Sequence, residues 1–85
     1  MPAYQELYAV GTPVQIAERS ALEAFRASWK YHHPLDIGQL EWGGQSATVR
    51  EVMFYHGGDV LYELGGIPGI WHEQCLRAGD GTRAV

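Results

Sequence analysis

The sequence has a single cysteine, no long apolar run and few basic residues. One thiol, Cys75, excludes an internal disulfide and a tetrathiolate zinc site, and it favours a reducing compartment. No stretch approaches the roughly 18 consecutive apolar residues that a transmembrane helix needs. The first residues, Met1 to Glu6, lack the basic start and the apolar core of a secretion signal. We therefore expect a cytoplasmic protein with no membrane partner.

The balance of charge argues against a dedicated nucleic-acid binder. Ten acidic and six basic residues give a net charge of −4, whereas a protein that binds phosphates by releasing counterions needs a concentrated basic face. One basic grouping is present, because the spacing of Arg19, Arg26 and Lys30 places them on one face of a predicted helix. Three cations in an acidic domain are typical of a solvated helix face, so we do not expect nucleic acid as a partner.

The length of 85 residues leaves room for one small domain. A chain of this size buries only about 60–65% of its unfolded surface, so a partner chain would add to its stability. Eleven glycines and four prolines favour a turn-rich fold over a helix bundle. We expect the domain to span residues 1–76. Residues 77–85 show no periodicity and are predicted to form a flexible tail.

Strands are predicted for most of the chain, with one helix near its start. Residues 13–17 alternate as a strand does, and the helix follows over about residues 21–30. Its apolar residues Leu22, Phe25 and Trp29 fall on one stripe. Three glycine pairs then divide the second half of the chain into strand-sized pieces. A small helical turn is predicted after Asp36.

The longest predicted strand, residues 46–55, changes phase part-way along. Ala47 and Val49 share one phase, whereas Val52 and Phe54 share the other. An extra, bulged residue near Arg50 would produce this change, and bulges bend sheets into small barrels. The prediction is therefore a mainly β fold, a small antiparallel SH3-like β-barrel with one helical insertion after the first strand.

Short motifs over residues 11–76 resemble the SH3-like barrel of the nitrile hydratase β subunit. They are Gly11-Thr12-Pro13-Val14-Gln15-Ile16, His33-Pro34, Gly44-Gln45-Ser46-Ala47-Thr48-Val49, Leu61-Tyr62-Glu63-Leu64 and Ile70-Trp71-His72-Glu73-Gln74-Cys75-Leu76. The run Tyr31-His32-His33-Pro34 also resembles the tyrosine, two histidines and proline in the variable subunit of ferredoxin–thioredoxin reductase, a related barrel.

The resemblance implies an accessory barrel that packs on a catalytic or redox partner. It does not imply a hydratase, because the metal of nitrile hydratase is held by a cysteine cluster of the α subunit that has no counterpart here. The chain also departs from the family pattern. Its predicted helix is longer than the family's excursion, and these 85 residues show no counterpart of the helical N-terminal domain of the nitrile hydratase β chain.

A surplus of aromatic residues indicates a contact surface. If Val52 and Phe54 point inward, the opposite phase of the sheet carries an exposed aromatic face, and such faces mark contact sites. The alternative is that the predicted helix folds over this face and buries it. The candidate interaction residues are Tyr31, Met53, Tyr55, His56 and Tyr62.

Two hypotheses for function follow. The favoured one is a non-catalytic accessory subunit or protein-interaction module, without a cofactor or catalytic residues, that binds a larger protein subunit or itself. The alternative is a homo-oligomeric metal-binding protein or small enzyme. In that case His56, His72, Glu73 and Cys75 would bind Zn, Fe or Co across a symmetry axis. The four histidines, His32, His33, His56 and His72, are all predicted at or near turns, where Asp36, Asp59 or Glu73 could join them in a metal site. Against the alternative, histidines commonly hydrogen-bond turns, and a free cysteine usually behaves as a small buried hydrophobe.

Overall fold

The computed structural model describes residues 6–55 and 59–79 and is mainly β. Five antiparallel strands form one sheet in the order β4-β3-β2-β1-β5. The elements in chain order are β1 (Pro13–Ile16), α1 (Arg19–Ser28), a 3-10 helix (Ile37–Trp42), β2 (Ser46–Tyr55), β3 (Asp59–Leu64), β4 (Ile67–His72), a 3-10 turn (Glu73–Cys75) and β5 (Leu76–Ala78). The mainly β class and the helical insertion after the first strand are confirmed. None of the described helices is long and apolar enough to cross a membrane.

The long strand β2 links the two halves of the sheet and is bulged. Its first residues pair with β1, and its second part pairs with β3. The register shifts between Val49 and Glu51, which confirms the predicted bulge near Arg50. A closed barrel is not confirmed, because β4 and β5 form the two edges of the sheet in the described part of the chain.

The bulge decides which side chains face the core. Val49 is buried and lies opposite Leu64, whereas Val52 lies opposite Tyr62 and packs against the same core. Phe54 follows in the phase of Val52 but is 48% exposed. The prediction that it points inward is therefore wrong at the end of the strand, where the core no longer covers it.

The main core lies on one face of the sheet and under α1. It combines residues from every strand with Leu22 of the helix, so that even this short chain buries several large side chains. The largest fully buried ones are Val14, Ile16, Leu22, Val49, Tyr62, Leu64, Trp71 and Cys75.

The helical segments begin and end close to the predicted positions. α1 begins two residues before the predicted start and ends at Ser28, where the Trp29 amide donates to the Phe25 carbonyl at 2.8 Å. The predicted turn after Asp36 is confirmed as the 3-10 helix, and Gln39 Oε1 accepts from the Asp36 amide at 2.8 Å. Local hydrogen bonds of this kind explain why sequence patterns locate such turns.

The prediction of a flexible tail from residue 77 is wrong for its first residues. Leu76–Ala78 form β5, which pairs with β1 and places Ala78 opposite Val14. The Gly79 amide then donates to the Pro13 carbonyl at 3.0 Å. The pairing stabilises both β1 and β5, because each strand alone has too few residues to be stable. Residues 80–85 lie outside the described part of the chain.

Replacing Gly79 with alanine is expected to lower the free energy of unfolding by about 1–3 kcal/mol. A Cβ atom at this position would collide with the backbone of Pro13 and Val14. Gly38→Ala is the matched control, since a Cβ atom there meets nothing within 4 Å. Urea unfolding followed by tryptophan fluorescence measures both variants. Equal stability of the two variants would mean that β5 does not dock on β1 as described.

Candidate functional site

Three histidines and one aspartate meet where the loop after α1 crosses the sheet. His32 and His33 come from that loop, Asp59 begins β3, and His72 ends β4. We call these four residues the histidine cluster. Leu61 of β3 lies opposite His72, so the cluster occupies the sheet face away from Tyr62.

His32 is held through both its side chain and its backbone. Its Nε2 lies 2.6 Å from Asp59 Oδ2, and its ring stacks on Tyr55 with the centroids 3.9 Å apart. The indole Nε1 of Trp29 donates to the His32 carbonyl at 2.7 Å. Both the ring and the backbone of His32 are therefore fixed by residues from other elements.

The neighbouring His33 adopts an unusual backbone conformation. Its φ of +48° is the left-handed region, which non-glycine residues seldom occupy. Its Nδ1 lies 3.2 Å from the Nδ1 of His32. Its carbonyl accepts a 2.8 Å hydrogen bond from His72 Nε2, so that both histidine carbonyls are held by side-chain donors.

His72 is the buried member of the cluster. Its ring contacts those of Phe25 and Trp29, each with centroids 4.9 Å apart. Burial lowers the pKa of His72 below its usual value, because the charged imidazolium would lose its hydration. A neutral imidazole that donates from Nε2 to the His33 carbonyl is the form that fits this environment.

The predicted aromatic surface is only partly present. Met53 and Tyr55 are half-buried, and His32 covers the Tyr55 ring. Tyr31 is 70% exposed and touches the Trp29 ring edge-on, with the centroids 5.0 Å apart. His56 lies outside the described residues. The alternative in which this face is buried therefore fits the structure better than an exposed aromatic face. Trp29 and the loop after α1 cover it.

The prediction that Tyr62 lies at the surface is wrong. Tyr62 is fully buried in the main core, because it lies opposite Val52, and residues directly opposite across two strands share a face. Its hydroxyl lies 2.5 Å from Glu73 Oε2 and accepts from the Leu7 amide at 3.1 Å. Burial, together with the Glu73 carboxylate, raises the pKa of Tyr62 well above its usual range.

The residues of the predicted metal site point in different directions. His72 belongs to the histidine cluster, Glu73 binds Tyr62 on the other face, and Cys75 lies in the main core. Burial raises the pKa of Cys75 to about 11. Within residues 6–55 and 59–79, no group of three or more His, Cys, Asp or Glu residues is arranged to hold a metal ion. One chain does not bring His72, Glu73 and Cys75 together.

The sequence places His32 and His33 near predicted turns, where Asp59 could join them in a metal site. The candidate metal residues predicted from it were nevertheless His56, His72, Glu73 and Cys75. The run Tyr31-His32-His33-Pro34 was the available signal, since two adjacent histidines before a proline indicate an extended or turning loop. The specific pairing of His32 with Asp59 could not be predicted from the local pattern, because the two residues are 27 positions apart in the chain.

Comparisons of the chain with protein-family models, curated proteins and solved structures find no significant match. The resemblance to the nitrile hydratase β subunit therefore stays a prediction.

Proposed function

We propose that the chain is a non-catalytic interaction module that packs against a larger protein subunit. This is the role that the resemblance to the nitrile hydratase β subunit implies. The observation that supports it is a large, exposed aromatic side chain on a firmly held loop: Tyr31 is 70% exposed and contacts Trp29. Tyrosine is among the residues that contribute most to binding energy at protein interfaces.

The loop that carries Tyr31 is fixed at the residues that flank it. Trp29 donates to the His32 carbonyl, and His72 donates to the His33 carbonyl. Binding at a surface that is already ordered loses less conformational entropy, which favours association. We define the Tyr31 surface as the exposed residues Tyr31 and His33 with the half-buried Tyr55 beside them.

The sheet suits a rigid platform of this kind, and we propose that it is a small barrel of the SH3-like type. The bulged β2 pairs with β1 at one end and with β3 at the other, which is the bend that such a barrel needs. Of its two edge strands, β5 is short, with three residues, as is usual for sheets that avoid edge-to-edge aggregation.

The basic stripe of α1 supports a protein partner over nucleic acid. Arg19 Nε lies 3.1 Å from Glu23 Oε2, and Arg26 Nε donates to the Leu35 carbonyl at 3.1 Å. Two of the three cations are thus engaged within the chain. With a net charge of −4, the domain offers little attraction to phosphates.

Replacing Tyr31 with alanine is expected to weaken partner binding at least about tenfold, as truncation of an interface hot spot does. The partner is captured from cells of the source organism on immobilised chain and identified by mass spectrometry. Its affinity for wild type and variant is then measured by surface plasmon resonance. Sedimentation of the purified chain alone tests the alternative that a second copy of the chain binds this surface.

Leu7→Ala is the matched control, because Leu7 is 68% exposed and its amide is bonded to Tyr62 on the opposite side of the sheet. The proposal requires that Leu7→Ala binds like the wild type and that Tyr31→Ala does not. A partner that both variants bind equally well would place the interface elsewhere. A partner that copurifies in equal amount with a blank matrix would count against any specific interaction.

A further inference from the structure

We propose that His32 and His33 chelate one divalent transition-metal ion through their Nδ1 atoms. These two atoms are 3.2 Å apart. Two imidazole nitrogens bound to zinc at about 2.0–2.1 Å in a tetrahedral site lie about 3.3–3.4 Å from each other. The two Nδ1 atoms therefore need to move apart by only a few tenths of an ångström to bind an ion. Water completes the coordination in the single chain, because the described residues supply no third ligand.

Asp59 orients His32 for this role. Its carboxylate, 2.6 Å from His32 Nε2, accepts a hydrogen bond from the N–H of that nitrogen, and this tautomer leaves Nδ1 with its lone pair facing His33. Histidines that bind metals usually donate their other ring N–H to a carboxylate or a carbonyl in this way.

The backbone of the pair is fixed before any ion arrives. Side-chain donors hold both histidine carbonyls, and the left-handed conformation of His33 brings its ring back towards His32. The His33 side chain is exposed, so an ion can reach the pair from solvent. Imidazole suits Zn, Cu and Ni ions, whereas Mg and Ca ions prefer oxygen ligands.

In the absence of a metal, the same two nitrogens share one proton in a hydrogen bond. Metal binding moves that proton from Nδ1 to Nε2 of His33, because each ligand nitrogen must supply a lone pair to the ion and the neutral ring keeps one N–H.

The test uses the full, tag-free chain, stripped with a chelator and titrated with zinc chloride in a calorimeter at neutral pH. One zinc ion per chain is expected for the wild type, and no heat of binding is expected for magnesium. His33→Asn removes one ligand but keeps a residue that tolerates the left-handed conformation. We expect it to weaken zinc binding at least about tenfold, and Asp59→Asn to weaken it about 10- to 100-fold.

Tyr31→Ala is the control, since it removes an exposed side chain of the same loop without touching either ligand. It should bind zinc like the wild type, which keeps this proposal separate from the interaction module. A readout without substitution is the NMR shift of the two Nδ1 atoms on zinc addition. Absence of zinc binding by the wild type, equal affinity of His33→Asn, or unshifted Nδ1 resonances would each overturn the site and leave a plain hydrogen bond.

Discussion

Replacing Tyr62 with alanine is expected to lower the free energy of unfolding by about 3–5 kcal/mol, as truncation of a buried aromatic residue does. Tyr62 is fully buried, lies between Val52 and Trp71 in the sheet, and contacts the Tyr8 ring with the centroids 5.8 Å apart. The loss is a large part of the total stability of a small domain. Urea unfolding measures it, followed by far-UV circular dichroism.

Tyr62→Phe separates the hydroxyl from the ring and is the variant to use if the alanine chain does not fold. It leaves the Glu73 carboxylate and the Leu7 amide without the Tyr62 hydroxyl, and about 1–3 kcal/mol of stability should be lost. The matched control is Tyr31→Phe, which removes the same hydroxyl group from an exposed ring. Surface changes of this kind usually alter stability by less than about 0.5 kcal/mol. If the two variants were equally stable, the hydroxyl network would contribute nothing.

Features that depend on neighbours in sequence could be predicted from the chain alone. The bulge of β2 follows from a change of apolar phase around Arg50, and the 3-10 helix follows from an Asp36–Gln39 pattern whose hydrogen bond spans three residues. In both cases the physical cause lies within one turn or one strand. The pattern therefore contains what is needed to locate the element.

Features that depend on register across strands could not be predicted in this way. The side on which Tyr62 lies depends on which β2 residue it faces, and the bulge sets that pairing. The contact of His32 with Asp59 depends on where the loop after α1 crosses the sheet. β5 is too short to show an alternating pattern, and only its pairing with β1 identifies it as a strand.

Cys75 is expected to react with a thiol reagent at least about a hundredfold more slowly in the folded protein than in denaturant. The thiolate is the reactive form of a cysteine. Burial in the core raises the pKa of Cys75 to about 11, although the nearby positive charge of Arg77 acts to lower it. In the unfolded chain the pKa returns to about 8.5, so near pH 8 a much larger fraction is ionised. Ellman's reagent, followed with and without guanidinium chloride, gives both rates. Cys75→Ser is the blank, because the chain has no other cysteine.

The route of this slow reaction is testable with the Tyr62 variants. If the reagent reaches Cys75 only when the fold opens, the labelling rate follows the population of the open state. Tyr62→Phe should then speed labelling by the factor by which it lowers the folding equilibrium constant, whereas Tyr31→Phe should leave the rate unchanged. Native labelling at the rate of the unfolded chain would contradict the burial of Cys75. It would also restore the reactive thiol that the alternative metal or enzyme hypothesis requires.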